Sequence, residues 1–147
     1  MQLLSDPHVY GLFNESNYGT SVHSYNREAG ARVLEAILAE NNLSASEVLA
    51  VSRGDDFVAV CTTGVGVGDE YGMFKKRLQL GKFIRWETVG SVALTEPGFK
   101  IFGVELRGRD GSALLAQSWN SVSEGLPERD RLVAIMARLV DAPASRR

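Results

Sequence analysis

Short apolar runs separated by Gly, Asp and Pro fill the chain from Val48 to Trp119. Apolar runs of this length that alternate with polar residues and are bounded by turn residues predict β-strands. Six or seven such runs follow one another, and Asp110-Gly111 marks a tight hairpin before the last of them. The pattern therefore predicts an α+β chain that is mainly β.

Two helices are predicted outside this region, over residues 26–42 and 127–140. The apolar stripe of the first helix consists of Val33, Leu34, Ile37 and Leu38, and that of the second includes Leu132, Ile135, Met136 and Leu139. Between the first helix and the strands, Ser44 and Glu47 have the spacing of a capping box, which predicts a helical turn there.

These elements divide the chain into four parts. We expect an N-terminal arm over residues 1–25, an added helix over 26–42, one domain over 43–142 and a frayed tail over 143–147. The arm is rich in Gly, Asn, Ser and Tyr and shows no clear period, so we expect it to be loosely ordered.

Composition places the chain among ordinary globular proteins. Its 147 residues include 16 basic and 18 acidic ones, a near-balance that provides no overall field for nucleic acid or anionic membrane. The single cysteine, Cys61, excludes an internal disulfide and fits a reducing compartment. No apolar run approaches the roughly 20 residues of a spanning helix, and residues 1–7 lack the features of a signal peptide. We therefore expect a cytoplasmic protein.

The segment from Glu47 to Asp141 resembles the bacterial pleckstrin-homology-like (PH-like) domains. The resemblance is carried by strand-like segments at 47–51 and 57–63 and by Ile84–Val92, which is similar to the stretch spanning the family's fourth and fifth strands. It implies a bent antiparallel barrel of about seven strands with a C-terminal helix over one open end. It also implies a binding role, for lipid headgroups or protein segments, rather than catalysis.

The loop between the first two predicted strands departs from the lipid-binding members of that family, which place basic residues there. Here the loop reads Arg53-Gly54-Asp55-Asp56, with one cation and two carboxylates. Phosphoinositide binding at this loop is therefore not expected.

Five cations within eleven residues form the best candidate binding segment of the chain. This basic segment consists of Lys75, Lys76, Arg77, Lys82 and Arg85. One interpretation is an anion or nucleic-acid patch. The other, which we favour from the sequence, is a solvated face whose charges are balanced by Asp69, Glu70 and Glu87.

Other candidate motifs favour structural interpretations. Gly64, Gly66 and Gly68 lack the following helix of a dinucleotide-binding loop and predict a glycine-faced strand that another group can approach closely. Cys61 lies in an apolar run and is expected to be a buried, inert thiol. His8 and His23 have no companions at metal-ligand spacing. We expect no catalytic residues, no metal and no cofactor.

The sequence thus predicts a non-enzymatic binding module. Its expected partner is a protein segment or a second copy of the chain, with the arm and first helix in the contact surface, and we expect a homo-oligomer. The alternative is a binder of an anionic ligand, a lipid headgroup or nucleic acid, through the basic segment.

Overall fold

A computed structural model describes residues 10–12, 20–53, 55–72, 74–75, 77–98, 101–120 and 125–141. Sheet A contains β1 (Tyr10–Leu12), β2 (Val48–Arg53), β3 (Phe57–Cys61), β4 (Gly64–Tyr71), β5 (Arg77–Leu80) and β6 (Ile84–Arg85). Sheet B contains β7 (Val89–Gly98), β8 (Ile101–Gly108) and β9 (Ala113–Asn120). The long helices are α1 (Thr20–Glu40) and α2 (Gly125–Asp141), and short 3-10 helices cover Ala45–Glu47 and Trp86–Thr88.

The strands of sheet A follow the order β1-β2-β3-β4-β5, and β6 pairs with the start of β4. Strand β1 is parallel to β2, whereas the other pairs are antiparallel, as are those of sheet B in the order β7-β8-β9. The prediction of a mainly antiparallel β fold with two helices is therefore confirmed. Within the described residues no strand pair joins the two sheets, so the closed barrel of about seven strands stays a prediction.

The first hydrophobic core lies between the two sheets and α2. Its fully buried members come from sheet A (Val58), from the connection between the sheets (Trp86), from sheet B (Leu106) and from α2 (Leu132, Met136). The predicted apolar face of the last helix is thus the face that packs on the sheets. Its other predicted members, Ile135 and Leu139, pack at the edge of this core and are partly exposed.

The second core lies on the opposite face of sheet A, where α1 packs. The α1 stripe of Val33, Leu34, Ile37 and Leu38 is buried against the sheet. Because α2 and sheet B cover the other face, all five residues of β3 are buried, which explains its continuous apolar run. The stripe that was expected to face a second copy is therefore used within the chain, and self-association gains no support from it.

Several boundaries differ from the sequence prediction. Helix α1 begins at Thr20, six residues before the predicted start at residue 26, and β1 lies inside the predicted arm. A helix that is already held by packing extends at little cost, because the unfavourable nucleation step has been made elsewhere along it. The rest of the arm, residues 1–9 and 13–19, and the predicted tail at 143–147 lie outside the described residues.

Two local signals are confirmed. Ser44 caps the 3-10 helix at Ala45–Glu47, and its backbone N–H donates to a Glu47 carboxylate oxygen at 2.7 Å. Asp110-Gly111 forms the turn between β8 and β9, where Gly111 adopts a φ of 87° that suits glycine.

Candidate binding surface

The antiparallel register of β4 divides the basic segment along a hairpin. Arg77 lies opposite Tyr71, at the end of β4, whereas Arg85 lies opposite Gly64, at its beginning. Seven residues separate these positions on β4, which corresponds to about 23 Å along a strand. Lys75 lies beside Arg77 in the β4–β5 connection, and Lys82 follows β5. Lys76 lies outside the described residues.

The acidic residues expected to balance these cations are mostly engaged elsewhere. Two nitrogens of the Arg32 guanidinium of α1, Nε and Nη2, donate to the Glu70 carboxylate, with Nη2 and Oε2 at 2.9 Å. Asp69 is buried and accepts the backbone N–H of Glu70 at 2.8 Å. Glu87 pairs with Arg85, with Nε and Oε2 at 3.4 Å. Among the described cations of the basic segment, only Arg85 forms an ion pair with one of these three acidic residues.

The β4–β5 tip, the described residues 72 and 74–75 between the two strands, exposes a large aromatic side chain. Phe74 is 99% exposed, and the flanking Tyr71 and Leu78 are 46% and 45% exposed. Lys75 and Arg77 are exposed beside them. Phe74 was not among the predicted binding residues, although a phenylalanine directly before Lys75 was a readable signal.

The acidic turn between β2 and β3 is bound to sheet B. One Asp56 carboxylate oxygen accepts the Tyr71 hydroxyl at 2.7 Å and the other accepts Gln117 Nε2 at 3.0 Å. Asp55 accepts the backbone N–H of Ser118 at 3.0 Å. These carboxylates accept hydrogen bonds from protein donors, and the turn carries two negative charges.

A shallow cavity lies beside this turn. It has a volume of about 190 Å³ and is lined by Asp56, Tyr71, Gln79, Leu80 and neighbouring residues of β4 and of the segment after β5. Sites for small molecules usually enclose about 300–1,000 Å³. The cavity is therefore too small to define a ligand site by itself.

The edge of sheet A next to β2 is occupied by a segment of the N-terminal arm. Tyr10, Gly11 and Leu12 pair in parallel with Ala50, Val51 and Ser52. Helix α2 lies next to this added strand. An unpaired edge presents a row of backbone N–H and C=O groups to other chains, and β1 covers that row along β2.

The glycine-rich run lies within strand β4 and not in a loop. A Cβ atom at Gly66 would lie 2.6 Å from Ile37 Cγ2 of α1, and one at Gly68 would lie 3.0 Å from Val33 Cγ1. The predicted glycine-faced strand is confirmed, and the group that approaches it is helix α1. The run precedes no helix, so the dinucleotide interpretation is excluded on geometry.

Cys61 is expected to resist alkylation in the folded protein. Its side chain is fully buried, and desolvation, with a smaller contribution from the negative charge of Glu47, raises its pKa to about 12. The thiol therefore stays neutral at pH 8, whereas in the unfolded chain its pKa falls to about 8.5. We expect iodoacetamide to label Cys61 at least about a hundredfold more slowly in buffer than in denaturant. Equal rates in both conditions would contradict the burial of this strand.

The described residues contain no group of three or more His, Cys, Asp or Glu side chains placed to hold a metal ion. His8 lies outside these residues. Neither helix of the described part is long and apolar enough to cross a membrane. No protein-family model matches the chain, and the comparison with curated proteins finds no match.

Proposed function

We propose that this protein is a non-enzymatic binding module that recognises an extended protein segment, with a PH-like domain over residues 43–142. The order of elements supports the PH-like part of the proposal. Five consecutive strands of sheet A, β2 to β6, are followed by the three strands of sheet B and then by α2, which packs on both sheets. This succession of strands and one closing helix is what the resemblance implies.

The pairing of β1 with β2 carries the functional part of the proposal. An extended segment, Tyr10–Leu12, adds a strand to sheet A beside α2. Strand addition derives its affinity from main-chain hydrogen bonds, so an edge that accepts one extended segment can accept another of different sequence. In this chain the arm occupies the edge, and a partner segment or the arm of a second copy competes with it.

A peptide that spans residues 6–16 tests this proposal. We expect it to bind a variant that lacks residues 1–19, as measured by fluorescence anisotropy of the labelled peptide. In the full chain the tethered arm competes at an effective concentration of about 1 mM, so for a free-peptide Kd of about 0.1 mM the binding is about tenfold weaker. A scrambled peptide of the same composition is the control for non-specific contact.

The result must be read together with the fold of the shortened variant. Circular dichroism should show that it retains the β-sheet signal and a cooperative melt. A folded variant that does not bind the peptide would overturn the proposed edge site. Concentration-dependent dimers of the full chain that disappear in the shortened variant would instead identify the second copy as the occupant of the edge.

A second candidate function, the binding of an anionic ligand through the basic segment, is favoured by a separate observation. Lys75 and Arg77 are exposed, and no ion pair joins either of them to a described residue. Glu70, four residues before Phe74, is directed to Arg32 instead. The positive charge at the β4–β5 tip is therefore available to an anionic partner.

A further inference from the structure

We propose that the shallow cavity beside the β2–β3 turn binds the ammonium group of a small alkylamine, with the Asp56 carboxylate as its charged partner. The lining of this cavity includes Asp56, Val67, Tyr71, Gln79 and Gly81. Its volume of about 190 Å³ is about six times the share of one water molecule in the liquid, so it can hold about five or six non-hydrogen atoms. The inference does not depend on peptide binding at the edge of sheet A.

The remaining acceptor capacity of Asp56 is the first step of the argument. One carboxylate oxygen accepts the Tyr71 hydroxyl at 2.7 Å, and the other accepts Gln117 Nε2 at 3.0 Å. Both donors are neutral, and an ionised carboxylate offers about four acceptor positions, so each oxygen can accept a further hydrogen bond. Within the described residues no ion pair joins Asp56 to a cation. A partly buried carboxylate without a charged partner favours a cation in the cavity beside it.

The other walls suit a cation that carries a short carbon chain. Tyr71 brings an aromatic ring to the lining, and aromatic rings attract cations. Gln79 adds an amide oxygen that can accept a hydrogen bond. Val67 provides apolar surface, and a Cβ atom added at Gly81 would lie 2.5 Å from Val67 Cγ2. The glycine at position 81 therefore leaves this apolar wall open to a ligand.

An ammonium group fits these walls better than a metal ion or a guanidinium does. Calcium takes about six to eight oxygen ligands, and the described residues hold no group of three or more His, Cys, Asp or Glu placed for a metal. A guanidinium binds a carboxylate best through two parallel hydrogen bonds. Here each Asp56 oxygen already accepts one donor, from Tyr71 or Gln117. An ammonium is a compact charge whose donors can reach separate acceptors.

A positive charge close to the cavity limits which amines can bind. Arg77 pairs with Tyr71 across β4 and β5, so the two side chains lie on the same face of sheet A. The exposed Arg77 guanidinium repels other cations at short range. We therefore expect the cavity to prefer an amine with a single ammonium group, and we expect its affinity to rise when Arg77 is neutralised.

Titration of the full chain with butylammonium chloride, followed by ¹H–¹⁵N NMR at pH 7, tests the inference. The amine is charged at this pH, as a lysine side chain is. We expect saturable shifts at the backbone amides of Asp56, Gly68 and Gly81, with a Kd on the order of 1 mM. 1-Butanol has the same carbon chain without the charge and should bind at least about tenfold more weakly. A capped lysine that binds more than about tenfold more tightly than butylammonium would replace the free amine with a lysine side chain as the ligand.

Four variants identify the residues involved. Asp56→Asn should weaken butylammonium binding at least about tenfold. Its matched control is Asp55→Asn, which removes the same charge from the neighbouring residue, whose carboxylate accepts the Ser118 backbone N–H, and which should weaken binding less than about threefold. Gly81→Ala fills the space beside Val67 without a change of charge and should weaken binding about tenfold. Arg77→Gln should strengthen binding about two- to threefold.

Thermal melts establish whether each variant is folded, because Asp56→Asn also changes the contacts with Tyr71 and Gln117. If that variant does not fold, Gly81→Ala and Arg77→Gln decide the question. Equal binding of 1-butanol and butylammonium would overturn the role of the charge. Equal effects of Asp55→Asn and Asp56→Asn would overturn the assignment of Asp56, and the absence of saturable shifts up to about 50 mM amine would overturn the site itself.

Discussion

Replacement of Trp86 by Ala is expected to lower the free energy of unfolding by about 4–6 kcal/mol, the largest loss that we expect from any described side chain. Trp86 is fully buried in the core between the sheets and α2, and its Nε1–H donates to the Cys61 carbonyl oxygen at 2.8 Å. The substitution leaves a large cavity and a buried carbonyl without this donor. A domain near the lower end of the usual range of about 5–15 kcal/mol would lose much of its folded population.

A second substitution separates the cost of the cavity from the cost of the lost hydrogen bond. Trp86→Phe retains most of the apolar ring and removes the donor to Cys61, so we expect a loss of about 1–3 kcal/mol. Urea denaturation followed by far-ultraviolet circular dichroism measures both variants without depending on tryptophan fluorescence. If Trp86→Ala unfolds within about 1 kcal/mol of the wild type, the assignment of this residue to the central core is wrong.

Local patterns were sufficient to predict much of the β-region. The turn at Asp110-Gly111 and the capping box at Ser44 and Glu47 each depend on residues close in sequence, and both are present. The apolar face of α2 was readable for the same reason, because its period alone identifies the packed side. These features needed no knowledge of which elements meet in space.

Strand β1 could not be predicted in this way. It contains three residues, Tyr10–Leu12, and its partner β2 lies about 40 residues later in the chain, as Tyr10 pairs with Ala50. A strand of this length shows no measurable alternation, and parallel pairing through the backbone places few demands on side chains. The sequence therefore showed an arm without period, and the pairing depends on the exposed edge of a sheet formed elsewhere.

The predicted charge balance of the basic segment was read from closeness in sequence, and of its described pairs Arg85 with Glu87 is present. Glu70 is two residues beyond Gly68, so strand alternation puts it on the glycine face of β4 that α1 covers. Its partner is accordingly Arg32 of α1. If the sequence had been interpreted with a helix packed on the glycine face of β4, the same alternation would have placed the Glu70 side chain toward that helix and away from Lys75.

Gly64→Ala is expected to lower the free energy of unfolding by about 3 kcal/mol or more, because β6 packs directly on the start of β4. The added Cβ would overlap the carbonyl oxygen of Ile84 and lie 2.6 Å from the Phe83 ring. The ring can rotate, but the carbonyl belongs to the backbone, whose residue Ile84 pairs with Val65. Relief of the overlap requires β6 to separate from β4, which also disturbs the adjacent Trp86.

Alanine substitutions at two other glycines, Gly66 and Gly111, serve as comparisons for Gly64→Ala. At Gly66 the nearest atom to an added Cβ is a side-chain methyl of Ile37, which can shift, so Gly66→Ala should cost about 1–2 kcal/mol. At Gly111 there is open space, but a φ of 87° disfavours alanine by about 1 kcal/mol. The denaturant midpoint of Gly64→Ala should thus lie well below those of Gly66→Ala and Gly111→Ala. A midpoint for Gly64→Ala equal to that of Gly111→Ala would mean that backbone conformation alone explains the cost, and that β6 does not pack against β4 as closely as this register requires.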